Sequence, residues 1–275
     1  MRNKIALATK HGKLAQIGPA FASLSNWEIQ LAEIDTDLFG TFTGEVPRSL
    51  SPRDSAIAKA KAGAQLLGFE YGLASEGAIT AHPQLPWVTA DLEILAFVNI
   101  RDNFVVVESN WFLDIQAHSG NLDLETDLDE LMNKLALPSH AANLVILFDE
   151  RRQILKGIQD REEFRSLVSE ALSASPTSIL AENDFRAMNS PTRQANIIAV
   201  AQKLAARISS HCPSCNQIGW GQIGYEFGLP CSSCFRLVDS VAHSEKHGCV
   251  SCDYVEISSL GKETIDPARC DFCNP

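Results

Sequence analysis

The residues best suited to chemistry in this 275-residue chain are its eight cysteines. All of them stand in the last 64 residues, as four Cys-x-x-Cys pairs separated by 15, 14 and 17 residues. One Cys-x-x-Cys turn presents two thiolates to the same ion, and two such turns complete the tetrahedral site that zinc prefers. The sequence therefore predicts two structural zinc ions, with the ligands Cys212, Cys215, Cys231, Cys234, Cys249, Cys252, Cys270 and Cys273.

Two arrangements of the four pairs fit these spacings. In a sequential arrangement the first two pairs bind one ion and the last two bind the other, as in tandem zinc ribbons. In an interleaved cross-brace the pairs alternate between the ions. We expect the sequential arrangement. Because four thiolates leave no open position for water, both ions should be structural, and residues 209–275 are predicted to form a double zinc-ribbon domain.

The charge of this cysteine-rich segment indicates what it contacts. Residues 209–275 carry four basic and eight acidic side chains, a formal charge of −4. Binding to nucleic acid needs a basic footprint, which this segment lacks. We therefore expect docking to a protein partner or to the rest of the chain. His243 and His247 are expected at the surface, because eight thiolates already fill two sites.

A second group of polar residues follows the first predicted strand. Thr9, Lys10 and Lys13 stand directly after the apolar run that begins at Ile5, where a helix is expected to start. Backbone N–H groups at a helix start, with two lysines and a hydroxyl nearby, suit a phosphate group. An ordinary strand-to-helix turn with solvated lysines is the alternative.

Three further positions place charge at the ends of predicted elements. Asp54 and Lys59 lie near the start of a helix, and Glu76 ends a short apolar strand. Arg186 and Arg193 flank a helix start led by a proline. Ligands collect at strand ends in α/β proteins, and paired arginines bind anions. Each position also has a plain structural explanation, as a helix cap, a surface acid or a salt-bridged turn.

The elements that must position these residues alternate between strands and helices. Short strands are predicted near residues 5–9, 27–34, 71–75, 92–100, 104–112, 144–148 and 178–181. Helices are predicted up to about residue 17 and near 52–67, 125–137, 161–172 and 192–208, and residues 35–48 are expected to form a loop with hairpin character. Residues 1–208 are therefore predicted to form an α/β domain with a mixed sheet and flanking helices.

Four segments in this domain resemble motifs of the inosine-triphosphate pyrophosphatase-like superfamily, in that family's order. They are ATKHGKLAQI from Ala8, DSAIAKAKAG from Asp54, LASEG from Leu73 and NSPTRQANIIAVAQKL from Asn189. The resemblance implies a nucleotide substrate and a Mg²⁺ cofactor. The chain departs from the family at His11, Gln16 and Thr192, where the family has Asn, a metal-binding Glu and His. It also lacks the family's base-recognition loop.

A closer resemblance covers the whole chain. The segments ATKHGK, DTDLFGTFTGE, GLASEG, DFRA and PTR, together with the tail CPSC…GLPCSSC…CDFCNP, are similar to a bacterial family that is known as a domain of unknown function. This second resemblance implies a common architecture but no activity.

Two classes of function follow as hypotheses. In the first, the chain is a metal-dependent phosphohydrolase, and the resemblance suggests a nucleoside-triphosphate pyrophosphatase. Lys13, Lys59 and Arg193, with Thr9 and Arg186, hold phosphates. Glu76, with Asp54 and one of Asp35 or Asp37, binds Mg²⁺ and orients water, and neighbouring carboxylates raise the pKa of Glu76 towards that of a general base. Eight residues line the same cleft or cap surface turns: Asp35, Thr41, Thr43, Glu45, Arg48, His82, Asp91 and Glu93.

The second hypothesis is a non-catalytic nucleotide sensor or interaction module, a pseudoenzyme whose zinc tail docks a partner. Binding of RNA by the zinc ribbons is a third and weaker hypothesis. A formal net charge of −11 argues against a broad grip on nucleic acid. No apolar run approaches the length of a membrane span, and the N-terminal apolar stretch is too short for a secretory signal. We therefore expect a cytoplasmic protein without a membrane partner.

Overall fold

The computed structural model describes residues 2–10, 12–40 and 43–275. The chain divides into two compact units, Met1–Lys203 and Leu204–Pro275. The first unit contains two sheets with helices, and the second contains a small sheet and the cysteines. The predicted class, a mixed α/β structure followed by a tandem cysteine module, is confirmed.

The first sheet has five strands in the order β2-β1-β3-β4-β5. Strand β1 is parallel to β2 and β3, whereas β3, β4 and β5 form an antiparallel meander. Helix α1 connects β1 to β2, and helix α2 connects β2 to β3. The bounds are β1 Asn3–Ala8, α1 Leu14–Ala22, β2 Trp27–Ala32, α2 Pro52–Leu67, β3 Tyr71–His82, β4 Leu85–Asn99 and β5 Phe104–Phe112.

This strand order creates a switch point beside β1. The chain leaves β1 towards one neighbour, β2, and returns from β2 across β1 to the other neighbour, β3. Right-handed crossovers then place α1 and α2 on opposite faces of the sheet, which opens a crevice at the carboxyl end of β1. Pairing of β1 with β3 ends where Ala8 lies opposite Ala74, so the residues that follow Ala74 on β3 border this crevice.

Helix α2 packs closely on the sheet because its inner face is built from small residues. Ala56, Ala60 and Ala64 are fully buried. A Cβ at Gly72 of β3 would lie 2.0 Å from the carbonyl oxygen of Ala60, so only glycine permits this approach. The helix begins with Ser51, whose side chain accepts a hydrogen bond from the Asp54 N–H. The close packing brings the first turns of α2 against the middle of β3, where Ser55 and Lys59 contact Glu76.

The second sheet of the first unit is antiparallel, in the order β6-β9-β7-β8. Helices α3 and α4 cover it, and their apolar side chains form a second core with residues such as Leu144, Phe164 and Ile179. Helix α5 follows the last strand, and the division between the two units falls within it. The bounds are β6 Ser119–Leu122, α3 Leu128–Lys134, β7 Ala142–Leu147, β8 Arg152–Ile158, α4 Arg161–Ser173, β9 Ser178–Asn183 and α5 Pro191–Ser209.

The second unit contains a three-stranded antiparallel sheet in the order β10-β11-β12. Strands β10 (Gly221–Pro230) and β11 (Leu237–Gly248) form a long hairpin, and β12 (Val255–Ser259) returns along β11. Its buried apolar cluster is small and includes Leu229, Val238 and Ile265 beside two cysteines.

Several predicted elements differ in the structure. Helix α1 continues through Pro19 to Ala22, because the burial of Ile17 and Phe21 outweighs the one backbone hydrogen bond that proline cannot make. Residues Thr36–Phe39 form a short 3₁₀ helix instead of part of a hairpin. Within the described residues, we find no helix with the length and hydrophobicity of a transmembrane segment.

Candidate functional site

A cavity of about 860 Å³, counting its open mouth, lies at the switch point between β1 and β3 and extends to the second sheet. Six cationic side chains line it together with four carboxylates, although the whole chain carries a formal charge of −11. The cavity is therefore a local exception to the acidic character of the protein, and its field favours an anionic ligand. The cations are Lys13, Arg48, Lys59, Lys156, Arg186 and Arg193, and the carboxylates are Asp37, Glu45, Glu76 and Asp184.

Glu76 projects from β3 and is held by cations. Its carboxylate forms a buried ion pair with Lys59 of α2 and lies 3.3 Å from Arg48 Nη2. Ser55 Oγ donates to the same carboxylate at 3.3 Å. Burial alone would raise the pKa of Glu76, but the charges of the neighbouring lysines and the hydrogen bond from Lys59 hold it below its ordinary value. The expectation of a raised pKa is therefore wrong, because cations surround Glu76 where carboxylates were expected.

Lys13 differs from the other lysines of the cavity. Its Nζ donates to Ser75 Oγ at 2.9 Å, and no carboxylate among the described residues lies within ion-pair distance of it. Lys59 and Lys156, by contrast, each form an ion pair with a glutamate. Enclosure of the half-buried side chain, and then the charge of Arg193, lower the pKa of Lys13 to about 8.

Arg193 reaches the cavity from α5 and is held from beneath by two acids of β4. Its Nε lies 2.8 Å from Glu93 Oε1 and 3.7 Å from Asp91 Oδ1, and Asn196 donates to the other oxygen of Asp91 at 2.9 Å. Arg193 also donates to the carbonyl oxygen of Phe185. Burial raises the pKa of Asp91, and it raises the pKa of Glu93 to about 7.

Asp91 and Glu93 share one further feature. One oxygen of each, Asp91 Oδ1 and Glu93 Oε2, is buried and accepts no hydrogen bond from a donor in the described part of the chain. The two carboxyl groups are also hydrogen-bonding neighbours. A proton held between them would satisfy both oxygens.

The second sheet supplies the opposite wall of the cavity. Arg186 forms a two-pronged ion pair with the buried Asp184, through Nε at 3.0 Å and Nη2 at 2.5 Å, and Asn189 donates to the same carboxylate at 2.7 Å. Lys156 of β8 forms an ion pair with Glu45. Asn143 of β7 completes this wall.

Six of the seven predicted catalytic and substrate-binding residues line the cavity: Thr9, Lys13, Lys59, Glu76, Arg186 and Arg193. Asp54 does not. Its exposed carboxylate accepts a hydrogen bond from Ser51 Oγ at 2.6 Å at the start of α2, so the structure separates it from Glu76 and the cations of the cavity.

The residues that were assigned either to the cleft or to surface turns divide into several groups. Thr43, Glu45 and Arg48 line the cavity, whereas Asp91 and Glu93 are buried beneath Arg193. Asp35 forms an ion pair with Lys10 at 2.8 Å, and the ring of His82 contacts Trp111. Thr41 lies outside the described residues, as does His11.

Sequence reasoning missed Asn143 and Lys156, since neither belongs to a motif. The one available signal was a polar side chain inside an apolar strand pattern. Asn143 precedes the run Leu144–Leu147, and Lys156 precedes Gly157, whose φ of 77° favours glycine.

The carboxylates of the cavity do not fit a Mg²⁺ ion in this arrangement. Each is already engaged by a cation: Asp37 by Lys10, Glu45 by Lys156, Glu76 by Lys59 and Arg48, and Asp184 by Arg186. Throughout residues 2–10, 12–40 and 43–275, three or more potential ligands gather around one point only at the cysteines. We therefore derive no chemical step through Mg²⁺.

The eight cysteines of the second unit form two tetrads. The first joins Cys212 and Cys215 with Cys249 and Cys252, and the second joins the other two pairs, Cys231/Cys234 and Cys270/Cys273. In each tetrad the sulfur atoms lie within 4.8 Å of one another, so each could hold a metal ion such as zinc.

The pairing is interleaved, so the expected sequential arrangement is wrong. The reason is the hairpin, which occupies the intervals between the first three pairs. Because β10 and β11 run antiparallel, the pair before β10 meets the pair after β11, and the pair at the hairpin turn lies at the other end. Strand β12 then carries the chain back along β11 towards that turn, where the fourth pair completes the second tetrad.

The local backbone prepares these cysteines for a metal. The Ser233 N–H donates to Cys231 Sγ at 3.4 Å, and the Ser251 N–H donates to Cys249 Sγ at 3.3 Å. Hydrogen bonds from the N–H groups of Cys234 and Ser233 lower the pKa of Cys231 to about 7. Such bonds stabilise thiolates, the form in which cysteine binds metal. The donor set and the local backbone geometry therefore fit a metal ion.

A family model described as a domain of unknown function, DUF6671, matches residues 59–275, which include both tetrads and nine of the 18 residues that line the cavity. No curated protein matches the chain. The resemblance to the inosine-triphosphate pyrophosphatase-like superfamily is not shown by these comparisons.

Proposed function

The chain belongs to DUF6671, a family of unknown function, and we propose that it binds the phosphate groups of a small molecule, foremost a nucleotide, in the cavity of its first unit. One observation carries the proposal: six cationic side chains converge on one cavity of an acidic protein. Charge of this density and sign is the usual device for binding phosphate.

Lys13 gives the reason why phosphate is expected to bind in this cavity. Among the described residues, Lys13 is the lysine of the cavity whose amine has no carboxylate partner, so a bound phosphate can supply the missing negative charge. Hydroxyl groups of Thr9 and Ser75 lie in the same wall and can donate to phosphate oxygens. Proton uptake by Lys13 should then accompany binding, because an anion raises the lysine pKa from about 8.

Calorimetric titration of the whole chain with inorganic phosphate, pyrophosphate and a panel of nucleotides tests this proposal. Replacing Lys13 by alanine should weaken binding about 10- to 100-fold, the effect of one charge-assisted hydrogen bond. Lys61→Ala, which removes an exposed lysine of α2, is the matched control and should leave affinity unchanged. Equal affinity of the Lys13→Ala variant and the wild type would refute the proposed site.

A phosphohydrolase is the second candidate, and the position of Glu76 favours it. An ionised carboxylate stands in the same cavity as the cations that would neutralise charge on phosphoryl oxygens. Release of phosphate or pyrophosphate from the nucleotide panel, measured with and without Mg²⁺, tests turnover. Loss of turnover in Glu76→Gln would support hydrolysis, whereas binding without turnover would leave the chain a nucleotide sensor, as in our second hypothesis.

We further propose that each cysteine tetrad holds a structural zinc ion, because four thiolates in tetrahedral reach are the typical zinc donor set. The unit around them carries more acidic than basic residues, which supports a protein partner over a nucleic-acid partner. Eight unbridged thiols support a reducing compartment, the cytoplasm. Metal analysis of the purified protein should find about two zinc ions per chain.

A further inference from the structure

We propose that Lys13 is a reactive amine that forms an imine with phosphorylated aldehydes or ketones in the cavity. The inference rests on the proposed phosphate binding for the anchoring of the ligand. It adds a covalent step that phosphate binding by itself does not require. The site consists of Lys13 Nζ, its hydrogen-bond partner Ser75 Oγ, and the cations around them.

The surroundings of Lys13 set it apart from the two other lysines of the cavity. Lys59 and Lys156 each form an ion pair with a glutamate, which occupies the amine. The nitrogen of Lys13 has instead a neutral hydroxyl as its partner and a buried guanidinium, that of Arg193, nearby. A lysine beside another cation is the arrangement that activates an amine for attack on carbonyl groups.

The protonation state of Lys13 supports this assignment. With a pKa of about 8, roughly half of the amine is neutral at pH 8, against roughly 0.3% for an ordinary lysine. The gain in neutral amine is about a hundredfold. Since a less basic amine is also a weaker nucleophile, we expect the net gain in the rate of attack to be about tenfold or more.

The remaining cations select the ligand. Arg48, Lys59, Lys156 and Arg186 line the rest of the cavity, so the phosphate of a ligand that also carries a carbonyl group can bind to these cations and leave Lys13 to the carbonyl, whereas inorganic phosphate alone binds at Lys13. A compact ligand with a carbonyl at one end and a phosphate at the other fits both features.

The reaction is a condensation without a change of oxidation state. The lone pair of neutral Nζ attacks the carbonyl carbon, and a proton passes from the nitrogen to the former carbonyl oxygen, for which the Ser75 hydroxyl is in position. The resulting carbinolamine loses its hydroxyl group and the second nitrogen proton as water, and a C=N bond forms. One amine and one carbonyl compound give one imine and one water molecule.

Reductive trapping tests the inference on the full chain. The protein is mixed with pyridoxal 5′-phosphate as the probe, the imine is reduced by borohydride to a stable secondary amine, and the labelled lysines are mapped by peptide mass spectrometry. Lys13 should be labelled at least tenfold faster than the exposed Lys61 at pH 7.5, with a half-maximal rate near pH 8. A rate no higher than that of Lys61 would overturn the inference.

Two further arms separate this inference from the proposed function. If phosphate binds in the calorimeter but Lys13 is not labelled, the inference fails and phosphate binding stands. If pyridoxal without its phosphate labels Lys13 as fast as the phosphorylated probe, the preference for phosphorylated carbonyl compounds fails and the inference is overturned, whereas the calorimetric titration alone decides the proposed function. Lys13→Arg keeps the positive charge and should abolish labelling at this position without loss of the fold, which circular dichroism checks.

Discussion

Replacing Glu93 by glutamine should remove a large part of the pH dependence of stability. Glu93 is fully buried between Asp91 of its own strand and Arg193 of α5, with Gly77 of β3 directly opposite. Glutamine has nearly the shape of a protonated glutamic acid, and its amide can accept from Arg193 while donating towards Asp91. The variant therefore reproduces the protonated form of the site at every pH.

The magnitude follows from the pKa of Glu93, which burial raises from 4.5 to about 7. A pKa that is higher in the folded chain stabilises the fold below pH 4.5, and this stabilisation is lost as the pH rises through 7. The difference of about 2.5 pH units corresponds to about 3 kcal/mol of unfolding free energy. The Lys13 amine and Asp91, the other titratable groups that act on Glu93, are present in both proteins, so their contributions largely cancel.

Urea unfolding of wild type and variant between pH 5 and pH 8.5, followed by tryptophan fluorescence, measures this difference. Between pH 5 and pH 8.5, the unfolding free energy of the variant should rise relative to that of the wild type by most of the 3 kcal/mol. Glu125→Gln, the same change at an exposed site, is the control and should follow the wild type. If the Glu93→Gln curve also runs parallel to the wild type, the assignment of a proton to the pair Asp91–Glu93 is refuted.

Two more changes test the packing of the cavity and the pairing of the cysteines. Gly77→Ala should destabilise the first unit by about 3 kcal/mol, because the new Cβ would lie 2.0 Å from Arg193 Nη2 and displace a buried ion pair; calorimetric unfolding measures the loss, and an unchanged melting temperature would contradict this packing. Cys212→Ser combined with Cys249→Ser should leave one bound metal ion per chain, because both residues belong to one tetrad. Cys212→Ser combined with Cys231→Ser should leave none, and a sequential pairing would give the opposite metal contents.

Local sequence signals predicted the parts of the fold that depend on neighbouring residues. Ser51 and Pro52 mark the start of α2, and Gly68 adopts a φ of 66° at its end, so both limits could be read from the chain. The Cys-x-x-Cys spacing likewise identified all eight potential metal ligands. These signals suffice because each acts over a few residues.

The missed features depend on residues far apart in the chain. The pairing of the cysteines follows from the hairpin of β10 and β11, whose register no single segment encodes. Lys156 and Asn143 reach the cavity only because the second sheet folds against the first, and the ion pair of Lys156 with Glu45 spans 111 positions. Asp54 was assigned to the site because its helix resembles a family motif, but helix rotation directs the side chains of Asp54 and Lys59 differently.

The position of the two cysteine tetrads has a consequence for how the second unit tolerates change. With a metal ion bound in each as proposed above, they hold the opposite ends of a hairpin roughly 30 Å long, while the sheet between them exposes large apolar side chains such as Tyr225 and Ile257. A sheet held at both ends by metal sites gains little of its stability from the residues between them. The sheet residues between the tetrads can therefore be substituted, or can form new contacts, without weakening the two metal sites.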